Sequence, residues 1–458
     1  MRPAPALLLL AGRCGPAVQP DDTDTAPPGP PVADLSAAVD EVIGSLVRVT
    51  WEQREACRGA VAARVEGGDW RRGPEVEREV GDRGQLVVGL PYGATVALRL
   101  EEDCGEGALI SEVLTIATAP LPTGLPAPAL LHREADAEDP EMHYLLLSTD
   151  SREDAPDPDA CWTVLVDRAG AVVWALASPV NRRTMSPRVA LDSQGLLIDH
   201  NSFWGIFDGG AASQVQRVGL DGEELALYDT PGLHHGLTEL GDGTVAWAAA
   251  DGMTENLMLL HPDGSQEALW SCASLHQQVG SLQPCAANTL LWDAATDTFL
   301  FSFFSTDTVA QIDASTGETL RWFGQLPGAW AFDPEESAFW WQHGAALTAA
   351  GTLLVSTRVA EHTDETAVRE YALDEGTSTL RQVWAFGEDE GIYGAELGEA
   401  WRLEGGNTLH NLGTAQRIRE ITPAGRVVWD LGWTRGSFVG HSEPIGDLYA
   451  LLPEGGAR

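Results

Sequence analysis

Apolar runs of strand length, separated by short turns rich in Gly and Asp, dominate the pattern of this chain, and no long stretch repeats with the period of a helix. The fullest example begins Phe339-Trp340-Trp341-Gln342-His343-Gly344-Ala345. It continues through Leu347, turns at Gly351, and runs out through Leu353-Leu354-Val355-Ser356-Thr357-Arg358. This reads as strand, turn, strand, with one imidazole at the mouth of the hairpin. From about Met142 onward the same unit recurs: a polar or His-bearing lead, an apolar strand, a Gly or Asp turn, and two further strands. Each unit closes on a turn leading to an aromatic. The closing aromatics are Trp174, Tyr228, Trp270, Trp322, Trp384 and Trp429, spaced 42 to 62 residues apart. That spacing suits a four-stranded propeller blade with variable loops.

Six closing segments predict an all-β chain with a six-bladed β-propeller over 140–455. Each blade buries its apolar face against the next, so an open ring is unstable. The stretch Gly440 to Tyr449 is expected to supply the strand that closes it. Ahead of the repeats, 35–122 carries alternating runs such as Leu46–Trp51, Val61–Val65, Thr95–Leu100 and Val113–Ala117, at the spacing of a β-sandwich. Within it, Gly89-Leu90-Pro91-Tyr92-Gly93 resembles the turn into a late strand of a fibronectin type III (Ig-like) domain. Residues 15–34 are rich in Pro, Asp and Thr, too poor in apolar surface to order themselves, and read as a tether.

Residues 1–14 carry Arg2, a short apolar run through Leu10, and Cys14, a segment too short to span a bilayer. Leu9-Leu10-Ala11-Gly12-Arg13-Cys14 resembles a bacterial lipoprotein signal, with Arg13 where that signal has a small residue. The expectation is export to the periplasm or cell surface, with Cys14 the candidate lipid anchor. An oxidising compartment pairs Cys57 with Cys104 and Cys272 with Cys285, leaving Cys161 over. The formal charge of −40 argues against nucleic acid or an anionic membrane as partner.

In a propeller the residues leading each inner strand meet at one mouth of the central channel. Here they are Ser186-Pro187-Arg188, His234-His235-Gly236, Ala286-Ala287-Asn288, Gln342-His343-Gly344 and Gly398-Glu399-Ala400. On its own stretch His343 reads as a nucleophile, a proton carrier, or a ring buried against a carbonyl. Convergence makes it a site candidate with His235; adjacent strand residues point to opposite faces, so only one of His234 and His235 is expected to face the channel. Asn288, Gln342, Arg188 and Arg358 are the candidate substrate contacts. No metal-ligand spacing and no cofactor motif appears, and Trp340-Trp341 suits blade packing or an aryl platform.

The run from about Asp167 to Tyr449 resembles the bacterial arylsulfate sulfotransferases. The resemblance is carried by His234 to Gly243, by Gln342-His343 with Gly351 to Leu354, by Gly405-Gly406-Asn407-Thr408-Leu409, and by Arg417 to Ile421 running into Val427-Val428-Trp429. It implies exported six-bladed propellers with an N-terminal sandwich. It also implies cofactor-free transfer of a sulfuryl group from an aryl sulfate to a phenol, with His343 transiently sulfated and His235 in support. The chain departs from the family at two positions. Ala286 stands where the family has the histidine of a His-x-Asn lead, and Phe304 stands where it has an arginine. Each lost donor of this kind is worth about 3 kcal/mol, or on the order of a hundredfold in rate. Two readings therefore stay open: a sulfuryl-transferring enzyme, and an envelope-anchored binding propeller whose active site has decayed.

Overall fold

The computed structural model describes residues 31–453 apart from 106, 152–159, 193, 253, 281–282 and 435–437. The signal segment, Cys14 and most of the expected tether lie outside the described residues. The first strand, Val32–Val39, begins within the last positions read as tether and joins the sandwich. It pairs with Val47–Gln53, which pairs with Gly81–Val87. A second sheet is built on Cys57–Val65 and Thr95–Asp103. Alternate residues of Thr95–Asp103 are buried, so Val96, Leu98 and Leu100 face Val47, Val49 and Trp51 across the core. Cys57 and Cys104 are joined in a disulfide beside this core.

Among the described residues, six further sheets each contain four strands in antiparallel sequence. In five of them the strands are consecutive. In the remaining one, Tyr144–Asp150, Cys161–Asp167 and Val172–Ala177 receive their inner strand from Val439–Ile445. This is the closure expected of the C-terminal stretch. The inner strands link into a ring. His441 N donates to Met185 O, Ser186 Oγ to His235 O, and Gly344 N to Thr289 Oγ1, while Trp401 Nε1 reaches Ser442 O. A side chain on Gly236 would strike Leu290, so those two inner strands are equally close. The chain is a β-propeller with an N-terminal β-sandwich. Two edge strands were not legible in the repeat. Ala129–Arg133 extends one sheet outside Val427–Gly432, and Ala331–Asp333 runs parallel to Thr379–Phe386.

The closing aromatics all lie on the fourth strand of their sheet counted from the hub. Four of them tie a sheet to the next with an indole N–H. Trp174 donates to Leu220 O, Trp270 to Thr319 Oγ1, Trp384 to Pro423 O and Trp429 to Arg168 O, at 2.7 to 3.1 Å. Trp174 and Trp429 are fully buried, and burying a large apolar side chain stabilises by roughly 1.5–3 kcal/mol. The recurring aromatic is therefore an inter-sheet tie: the ring fills the gap between sheets, and its single polar atom is satisfied by the neighbour.

The sandwich packs on the sheet that closes the ring. Ile43, Leu46, Leu86 and Val88 share a core with Leu165, Val173, Trp174 and Leu448, and Ser45 Oγ donates to Val173 O at 2.7 Å. The expected pairing of Cys272 with Cys285 is present, and Cys161 is free and buried. No helix among the described residues is long and apolar enough to cross a membrane.

Candidate functional site

One mouth of the ring opens as a cavity of about 510 Å³. Phe203, Trp204, Phe207, Phe304, Trp341 and Phe438 line it with aromatic surface. The polar groups that reach it are few: His234, His235, His343, Asn288, Arg183, Thr414 and Glu396. An aromatic slot with a small convergent set of nitrogen groups is suited to a flat ring bearing one polar substituent.

His343 lies on the inner strand Trp340–Leu347, which is irregular on both sides of it. Trp341 sits at φ 49°, uncommon for a bulky residue, and is held there by its N–H on the Asp307 carboxylate and its indole N–H on Ala395 O. Its carbonyl lies 3.1 Å from His343 Nδ1. A carbonyl only accepts, so Nδ1 carries the proton and Nε2 keeps its lone pair. Burial pushes the His343 ring down to about 3, with the nearby His441 and Arg358 acting in the same direction against the bond to Trp341. The ring at the cavity wall is thus neutral at neutral pH, a free nucleophilic nitrogen on a fixed imidazole.

His234 and His235 both line the cavity, which corrects the expectation that only one would. The cause is local. The strand Leu233–Glu239 loses register with its neighbour between Leu233 and Leu237, and such a bulge breaks the alternation of faces. His234 is fixed by ring contacts with Phe203 and Trp204, and its carbonyl is gripped by Asn201 and Trp204. Its Nδ1 comes within 2.9 Å of Glu255 Oε1, but off the line of a hydrogen bond, so proximity rather than a bond describes this pair. His235 is held well below the ordinary histidine range by burial first, then by His234, His441 and His343, and its Nδ1 has no hydrogen-bond partner. A neutral imidazole beside the cavity can take up a proton.

The remaining expected contacts divide. Asn288 lines the cavity, and its side chain donates to Gln342 O. Gln342, Arg188 and Arg358 lie off the wall. Gln342 is buried, with its amide donating to Ser302 Oγ, Phe303 O and Thr308 O, and so clamps the base of the His343 strand. Arg188 is buried 3.5 Å from Glu399. Arg358 stacks on Trp341 at 4.7 Å and donates to Tyr393, behind the wall it was expected to pierce. Phe304 packs on Trp341 with ring centres 4.9 Å apart, and Ala286 lines the cavity beside it.

Two groups were not singled out from the sequence. Arg183, just ahead of the second sheet's inner strand, reaches the cavity. His441, on the closing strand, is fully buried among the inner strands, with Nδ1 3.2 Å from Glu399 Oε2 and Nε2 3.2 Å from Asn288 O. Burial pushes the Glu399 carboxyl up, but Arg188, His441 and the bonds from His441 and Ser442 together hold it below its usual range. The signal for His441 was in view: Gly440-His441 leads its strand as His234-His235-Gly236 and His343-Gly344 lead theirs. The hub histidines do not gather their ring nitrogens as a metal centre would, among the described residues. Cys272, His276 and Cys285 do gather, but there the sulfurs are joined to each other.

The chain matches no protein-family model and no curated protein. Among solved structures it is similar to a protein of unknown function from Bacteroides caccae, at 16% identity, covering 67% of this chain and 100% of that one, with a TM-score of 0.45. It is also similar to a putative 6-phosphogluconolactonase from Bacteroides uniformis, at 13% identity over 84% and 99% of the two chains, TM-score 0.39. A third likeness is to a catalytically inactive virginiamycin B lyase from Staphylococcus aureus with quinupristin, at 10% identity over 66% and 87%, TM-score 0.40. At these identities and scores the likenesses say nothing of activity or ligand, and the reading of the site rests on its own residues.

Proposed function

We propose that this protein transfers a sulfuryl group from an aryl sulfate to a phenolic acceptor through His343. The observation that carries the reading is the bond from His343 Nδ1–H to Trp341 O, which leaves Nε2 as a neutral nucleophile on an aromatic-walled cavity. In the first half, the Nε2 lone pair forms a bond to sulfur as the sulfur–oxygen bond to the aryl group breaks, and the phenolate leaves with that electron pair. In the second, the acceptor's phenolic oxygen attacks the same sulfur, the nitrogen–sulfur bond breaks, and His235 takes the acceptor's proton. Asn288 and Arg183 supply donors to the sulfuryl oxygens, and Phe304 and Trp341 flank the ring. No cofactor enters these steps. Two disulfides suit an oxidising compartment, so we place the protein outside the cytoplasm, in the periplasm or at the cell surface, with Cys14 as the lipid anchor.

The test is release of nitrophenolate from p-nitrophenyl sulfate by purified protein. The expected result is release that depends on added phenol and is lost in His343→Ala. Release independent of acceptor, or none at all, overturns the reading. A second reading, a propeller that binds an aryl compound without turning it over, is favoured by Ala286 and by Phe304 packed on Trp341. It predicts aryl sulfate binding by calorimetry with no chemistry.

A further inference from the structure

The hub beneath the cavity holds charge that the proposed reaction has not used. The chain contains no lysine, so positive charge near the site comes only from arginine or a protonated imidazole. Arg183 is the one arginine that lines the cavity among the described residues; Arg358 is engaged behind Trp341, and the positions where the resemblance implies a histidine and an arginine hold Ala286 and Phe304. His441 is the exception in its surroundings. Both of its ring nitrogens face acceptors, Glu399 Oε2 on one side and Asn288 O on the other, each at 3.2 Å. Neither partner has a proton to offer. The Asn288 oxygen is a carbonyl, and Glu399 accepts further from Ser442 N and Arg188. Each nitrogen can satisfy its partner only by donating, and a ring that donates from both nitrogens holds two protons.

We propose that His441 is a buried imidazolium and the positioning residue that supplies positive field to the sulfuryl group at His343, in place of the donors missing at Ala286 and Phe304. Its role rests on the transfer reaction proposed above; its charge does not. The ring acts through neighbours rather than on substrate. Its Nε2–H grips the carbonyl of Asn288, whose own side chain holds Gln342 O, one residue before His343. Its electrostatic reach extends to both cavity imidazoles, since it contributes to lowering His235 and His343. Glu399 thus does two things: it stabilises the imidazolium by charge-assisted hydrogen bonding, and it fixes the ring plane between two inner strands.

The experiment is nitrogen NMR on full-length protein labelled at histidine nitrogen, comparing the parent with His441→Gln and Glu399→Gln. The expected result is one spin system with both ring nitrogens protonated at neutral pH, missing from His441→Gln. In Glu399→Gln that system shifts to a singly protonated ring. A parent spectrum in which every ring has an unprotonated nitrogen overturns the proposal, and that outcome needs no variant to fold. The kinetic arm uses p-nitrophenyl sulfate: His441→Gln is expected to lose on the order of a hundredfold in kcat with little change in KM. An equal kcat in the folded variant overturns the positioning role. If the parent spectrum shows the imidazolium but no variant or parent transfers sulfuryl, the reaction is wrong and the charged ring stands.

Discussion

Gly344 crosses Glu399 so closely that a β-carbon on it would overlap both Cα and Cβ of that residue. The contact joins the inner strands of two neighbouring sheets immediately after His343, and Gly344 is at φ 58°, the left-handed region. It therefore fixes two things at once: how near His343 stands to the Glu399–His441 pair, and which way its ring points.

Gly344→Ala is accordingly expected to cost about 2–4 kcal/mol, combining the left-handed backbone with an overfilled crossing. Urea unfolding followed by tryptophan fluorescence measures it. An unchanged midpoint would mean that the two strands are not this close.

The buried histidines make the fold sensitive to acid. Burial, then Arg419, pushes His410 down to about 3, and its Nε2 stands 3.0 Å from Ser356 Oγ. The unfolded ring titrates near about 6.5, so between these values the unfolded chain takes up a proton that the folded one refuses. The stability it contributes is whole above about 6.5 and drains as pH falls toward 3. Asp199 and Glu443 act oppositely. Burial raises both to about 7, so they favour the fold at low pH and cost stability as pH rises through that value. His410→Gln removes one histidine and leaves both carboxyls. Its loss of stability between about pH 6.5 and pH 5 should be smaller than the parent's by about 2 kcal/mol. Parallel curves from urea titrations at the two pH values would exclude this assignment.

Phe304 belongs to the aryl wall if the cavity takes a ring. Phe304→Ala is expected to raise KM for p-nitrophenyl sulfate about tenfold, the loss of roughly one aromatic contact, while kcat changes little. A fall in kcat with constant KM would instead assign Phe304 to holding Trp341 and His343 in place.

The Cys272–Cys285 disulfide closes a short loop whose end runs directly into Ala286 and Asn288 on the cavity wall. Replacing both cysteines with serine is expected to cost about 3 kcal/mol through the freed unfolded chain. Thermal unfolding in the absence of reductant checks this, and a variant that melts with the parent shows that the loop is held by its packing alone.

Much of the architecture is local, and so it could be read along the chain. Alternating runs, Gly and Asp turns and an aromatic at each unit's end depend on residues a few positions apart, and each closing aromatic did fall on the fourth strand from the hub. Cys57 with Cys104 and Cys272 with Cys285 were legible because the first pair falls within one N-terminal segment and the second brackets one loop. The edge strand Ala129–Arg133 was not, because it carries no repeat signal and exists only through its partner, Val427–Gly432.

By itself, then, the order of residues determined that the chain is strand-built, that its sheets repeat, and that His343, His235 and Asn288 lead inner strands. Tertiary structure alone decided which groups meet. A bulge turned His234 to the same cavity as His235, which alternation forbids in a regular strand. Arg188 and Arg358 were drawn off the wall to Glu399 and Tyr393, because a buried guanidinium takes whichever partner the fold brings near. His441 became part of the hub because the last strand completes the sheet that Tyr144 begins, roughly three hundred positions earlier. The energy of a side chain's surroundings depends on distance in space, and ring closure sets that distance without regard to separation along the chain.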